Sequence, residues 1–185
     1  MDGIVSIGTI GVVKISNAHV MNRTDTPSRE TILNQLDEIY RGPAWHGPSV
    51  LEALDGVTAA AAHAKPDPDR HSIWELVRHL THGRHLLADR LAQTSSDFPV
   101  AVREPWWPVA PTEASDAAWR KDLDLLEHYH VRLTDAVKNA TEAQLARRPN
   151  PGDQTLAQQL LGMAIHDAYH AGQIRLLALN AASRS

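Results

Sequence analysis

SIWELVRHLTHGRHLLADRL, residues 72–91, decides how this chain is read. Ile73, Leu76, Val77, Leu80, Leu86, Leu87 and Leu91 recur every three or four positions, the period of one helix face. Ser72 stands at its head with Glu75 three residues on, the capping-box arrangement that satisfies the free amides of a first turn. The segment is therefore a long amphipathic helix, and what surrounds it repeats the theme.

Upstream, Thr26-Pro27-Ser28 opens a helix over Ser28–Tyr40, with Ile32, Leu33, Leu36, Ile39 and Tyr40 on one stripe, and Arg41-Gly42-Pro43 stops it. Pro48 introduces a further helical run from Ser49 to about Ala64, and Lys65–Asp69 is a loop. Downstream, residues 94–111 are rich in Ser, Pro and Trp and read as a long ordered loop with Trp106 and Trp107 packed on the bundle, placed to roof a site. Thr112–Asn139 is a third long helix with Trp119, Leu123, Leu126, Tyr129, Leu133 and Val137, followed by a short turn at Thr141–Ala146. Arg148–Gly152 breaks the chain, and Thr155 starts a last helix through Leu156, Leu160, Met163, Ile165, Ile174 and Leu177. Four long helices joined by loops predict an all-α four-helix bundle with a long loop between the second and third long helices.

The 185 residues fit one domain, assigned to 22–185. Residues 1–21 (MDGIVSIGTIGVVKISNAHVM) are strand-like and differ from the Ala/Leu/Arg/Asp mixture beyond them. They are read as an N-terminal extension without chemistry: an upstream-start segment, an added sequence or an extra ribbon.

A net charge of −4 gives no electrostatic reason to expect nucleic acid or an anionic membrane as partner. No stretch approaches the roughly 20 apolar residues of a membrane span, and no secretory signal is evident, so a cytoplasmic location is expected. With no cysteine, disulfides, thiolate ligands and a Cys nucleophile are excluded, and metal chemistry falls to His and carboxylate.

The 11 histidines are the compositional anomaly. HDAYH, residues 166–170, sets His166 and His170 four residues apart on one helix face, a spacing that suits one divalent ion but that a His-rich chain also produces by chance. His79 sits on the inward stripe of the second long helix. Three imidazoles from two helices leave coordination positions open, as in catalytic sites, and an all-nitrogen set favours Zn, Ni or another late first-row ion. Spacing leaves equally open that His79 is a satisfied core histidine and His166 and His170 a surface pair.

Around these, Gln173 shares the His166/His170 face and is placed to bond a ligand or a bound water, or simply a neighbouring helix. His46, in the Ala44–Pro48 turn, is a substrate-side contributor or a loop cap. Glu75 is read as a cap before a base. His82 is read as a solvated helix-edge residue, with His85 the weaker candidate of the two, and Asp167 as surface. Tyr169, His128, Tyr129 and His130 are read as packing or solvated residues. No Ser-His-Asp set, phosphate loop or dinucleotide fingerprint occurs.

The pair SIWELVRHL (72–80) and HDAYHAGQI (166–174) resembles the DinB-like superfamily, which includes YfiT-type metal-dependent hydrolases and bacillithiol transferases, over residues 28–180. The resemblance implies a four-helix bundle, commonly a homodimer, with a divalent metal ion on His79, His166 and His170. It also implies a small-molecule substrate and either hydrolysis or transfer of a low-molecular-weight thiol. The other expectation kept alongside is a non-catalytic, stress-associated metal-binding protein.

Overall fold

The computed structural model describes residues 27–103 and 106–182. Its four long helices are α1 (Arg29–Arg41), α4 (Ile73–Ala92), α5 (Asp116–Asn139) and α7 (Leu156–Ala182). Short helices α2 (Val50–Leu54), α3 (Ala59–His63) and α6 (Glu142–Ala146) fill the connections, with a ribbon of β1 (Val102–Arg103) and β2 (Trp107–Pro108). The strand-like reading of residues 1–21 lies outside the described residues.

Each helix start follows from its own sequence. Ser28 accepts from the Thr31 amide, and Ser49/Glu52, Ser72/Glu75 and Thr141/Gln144 form reciprocal capping boxes. Thr155 and Gln158 exchange the same pair of bonds at the head of α7, at 3.0 and 3.2 Å. Such caps stabilise a helix by about 1 kcal/mol each. Glu75 is thus a cap, as expected.

The connections differ from expectation at three places. The run Ser49–Ala64 is two helices, because Asp55 leaves helical geometry, Gly56 takes a positive φ of 70° and Thr58 caps anew. The turn at Thr141–Ala146 closes into α6 because its capping box supplies a nucleus. The 94–111 loop contains the β1–β2 ribbon, pairing Val102 with Pro108 and Arg103 with Trp107.

The long helices form a ring in which α1 and α4 each pack on both α5 and α7. Their inward stripes build two apolar layers. One gathers Tyr40, Trp74, Leu80, Trp119, Leu126 and Ile174, and the other Ile32, Leu36, Leu87, Leu133, Leu156 and Leu160. Between them lies a polar belt. Arg84 of α4 and Asp167 of α7, each 1% exposed, bond at 2.8 Å, while His130 of α5 stacks on Tyr40 at 3.9 Å between ring centroids. Arg84 also lies over the Tyr40 ring at 4.9 Å. Asp167 is therefore interior and not surface. It lies between Ala164 and Ala171, whose burial places that helix face in the core.

Candidate metal centre

The belt sets the register of α4 against α7, and one turn from it the two helices bring three imidazoles together. His79 Nε2 lies 3.0 Å from His166 Nε2, which lies 3.0 Å from His170 Nε2. Among the described residues these three form a group able to hold a metal ion, their ligand atoms all within 4.8 Å of one another.

The outer nitrogens explain why the inner ones converge. His79 Nδ1–H donates to the Trp106 carbonyl at 3.1 Å, and His170 Nδ1–H donates to Gln173 Oε1 at 2.6 Å. Gln173 is held in turn by donating to the Tyr169 hydroxyl at 2.9 Å. With their protons on Nδ1, His79 and His170 both aim a bare Nε2 lone pair at His166. His166 carries a proton at Nε2 for at most one of them, so at least one 3.0 Å contact sets lone pair against lone pair. A cation among the three nitrogens removes that conflict, so the donor set fits a divalent ion.

Electrostatics agree with ligation. Burial holds His79 down to about 4 and lowers His170 as well, with the neighbouring imidazoles adding to the effect. Both are neutral at physiological pH, the form that binds metal.

A ribbon covers one side. Trp107 stacks between His71, at 3.5 Å, and His79, at 4.1 Å between centroids. Its position is fixed from below. Arg78, next to His79, donates to the Val109 carbonyl beyond β2 and to Asp122 at 2.6 Å, and Trp74 donates to the same carboxylate at 2.5 Å. The expected roof is present, with Trp106 contributing its carbonyl and standing half exposed.

Two cavities flank the cluster. One, of about 540 Å³, is lined by Arg70, His71, Trp107, Tyr169, His170 and Gln173. The other, of about 400 Å³, is lined by His79, His82, Gly83, Trp106, Met163 and His166. The first is aromatic and carries charges of both signs, Asp69 beside Arg70. The second is largely apolar.

Of the sequence candidates, His79, His166, His170 and Gln173 come together. His46 does not join them: it is exposed, its ring meets Trp45 at 6.0 Å, and neither cavity is lined by it. His82, expected at the solvated edge, and His85, the weaker candidate, are both buried against Phe98 at 4.9 and 5.2 Å, because the returning loop covers that face of α4. Tyr129 and His130 pack inside, and His128 and Tyr169 are exposed. Missed altogether were His71, Arg78, Asp122 and the Trp106 carbonyl. The only prior signal was the Trp106-Trp107 pair itself, since a carbonyl leaves no trace in a side-chain pattern.

A family model described as the DinB superfamily matches residues 44–174 of the chain. Comparison with curated proteins and with solved structures returns no match.

Proposed function

The chain belongs to the DinB superfamily, and from that premise we propose that it is a metal-dependent enzyme whose ion is held by His79, His166 and His170. The observation that carries the reading is the convergence of three Nε2 atoms at 3.0 Å steps, with the His79 and His170 ring protons turned away onto fixed acceptors. Zn(II) or Ni(II) suits an all-imidazole set, and such an ion supplies Lewis acidity that brings the pKa of a water or a thiol toward neutrality. The chain's own contribution is to present neutral imidazoles, exclude bulk water with Trp107 and leave two approaches to the centre.

Those two approaches favour transfer of a low-molecular-weight thiol over hydrolysis. Hydrolysis brings one organic reactant to the centre; thiol transfer brings two, the thiol losing its proton as its sulfur bonds the electrophile and the leaving group departs. A polar thiol bearing both an ammonium and a carboxylate suits the cavity with Asp69 and Arg70, and an apolar electrophile suits the cavity walled by Gly83, Trp106 and Met163. His46 plays no part in this proposal.

A homodimer is proposed with it. Ile165, Tyr169, Leu176 and Leu179 stand 52–71% exposed along one face of α7, an apolar stripe at seam spacing. No helix of the described residues is long and apolar enough to cross a membrane.

Protein stripped of metal and reloaded with Zn or Ni tests the activity against a panel of cellular thiols with a chloronitroaromatic electrophile, and against ester and amide substrates. Turnover that needs both metal and thiol is expected. Turnover without thiol selects the hydrolase. A panel without turnover, together with a large loss of thermal stability in His166→Ala, selects the non-catalytic metal-binding alternative.

A further inference from the structure

Among the described residues, the outer nitrogen of His166, alone in the cluster, has no hydrogen-bond partner. This Nδ1 is buried and unpaired, and so is Asp167 Oδ1, which lies 3.6 Å away, too far for a hydrogen bond. Two buried polar atoms of complementary capacity, side by side and both unsatisfied, are costly to a folded protein unless a state exists that joins them. The other oxygen of the same carboxylate is fixed across the bundle by Arg84 at 2.8 Å.

The tautomers account for the gap. Because His79 and His170 keep their protons on Nδ1, the only ring proton available between the three Nε2 atoms is that of His166. Held at Nε2, it leaves Nδ1 a bare acceptor facing a carboxylate oxygen, also an acceptor, and the two stand apart. A cation among the three Nε2 atoms excludes a proton there. The neutral ring then carries its one proton on Nδ1, pointed at Asp167 Oδ1.

Resting on the three-histidine reading above, we propose that Asp167 is a positioning residue: it accepts the His166 Nδ1 proton when the cluster takes up metal, with Arg84 holding the carboxylate in place. The proton leaves Nε2 and returns at Nδ1 through exchange with solvent. The three ligands thereby have three different outer acceptors, a peptide carbonyl, an amide and a carboxylate. Asp167 supplies the most basic of them, and outer acceptors of this kind set ligand orientation and donor strength.

The test uses the whole chain and Zn(II) alone. Nitrogen–proton correlation spectra of the histidine rings should show the His166 proton on Nε2 without metal, and on Nδ1, shifted far downfield, after one equivalent of Zn. In competition with a chromophoric chelator, Asp167→Asn should weaken Zn binding about 10- to 100-fold, and Asp167→Glu should recover part of that loss. The double variant Arg84→Met/Asp167→Asn leaves no unpaired guanidinium in the core and should bind Zn as weakly as the single variant. A Zn-loaded wild type with the His166 proton still on Nε2, or a folded variant with wild-type Zn affinity, overturns the assignment while leaving the three-histidine site intact. A wild type that binds no Zn overturns both.

Discussion

Two groups of histidines sit within three turns of α4, and they have opposite chemistry. His79 points its bare nitrogen inward at His166, with its proton given to the Trp106 carbonyl. His85 is buried where His79 is half-buried, yet its Nδ1 accepts from Arg132 at 3.2 Å and its Nε2 faces Asp89 at 3.9 Å, so no lone pair is left for a metal. His82 packs on Phe98 and His85 alongside it. Burial lowers the proton affinity of all three imidazoles, so a depressed pKa does not distinguish a ligand from a core histidine. The distinction lies in which ring nitrogen carries the proton, and that is set by the neighbour outside the cluster.

Removing a converging nitrogen should break this comparison most sharply. His166→Ala is expected to cost at least about 100-fold in Zn affinity, whereas His85→Ala should stay within about threefold of wild type, both by chelator competition. Equal losses in the two variants would erase the distinction between the groups.

Acid comes next. The folded state of His130, 2% exposed, has its pKa held at about 4 chiefly by burial, against about 6.5 when unfolded. Between those values the unfolded chain binds the additional proton. Stability of the metal-free protein should therefore fall as pH drops from 6.5 toward 4, by up to about 3 kcal/mol from this residue, and recover as pH rises. Denaturant unfolding across that window measures it, and His130→Phe should lessen the slope, the remainder staying with His79, which burial also holds at about 4. A Zn-induced rise in Tm should fade only as pH approaches about 4, where protons begin to compete for His79, in His85→Ala as in wild type.

The smallest effect concerns an outer partner. Gln173→Leu takes away the acceptor of the His170 proton and should weaken Zn binding about 10-fold with little change in metal-free Tm. Arg132→Gln should do the reverse, lowering Tm with Zn affinity unchanged. Any zinc defect in Arg132→Gln would show that the two groups are coupled through α4.

These contrasts also mark what the sequence could carry. The four long helices were legible because each has a local cap and a one-sided stripe, as at Ser72/Glu75. His79, His166 and His170 were legible as a set only through two motifs taken together. The spacing of His79, His82 and His85 is uniform, and nothing local says which of them meets α7. That depends on helix register, fixed by Arg84 and Asp167, a pair 83 positions apart. The fates of Asp167 and His82 were misread for the same reason: solvent exposure on a helix edge is decided by whatever chain returns to cover it.

The polar belt between the apolar layers acts as an alignment key. Apolar layers alone tolerate sliding, because one leucine can replace another in a neighbour's groove. A one-turn slip of α7 along α4, about 5.4 Å, would instead strand a guanidinium and a carboxylate in the core, at a cost on the order of 3–5 kcal/mol. The layers on either side are therefore free to drift in sequence while the histidines stay opposite one another. Divergent copies of this bundle should keep the charge pair longer than the leucines around it.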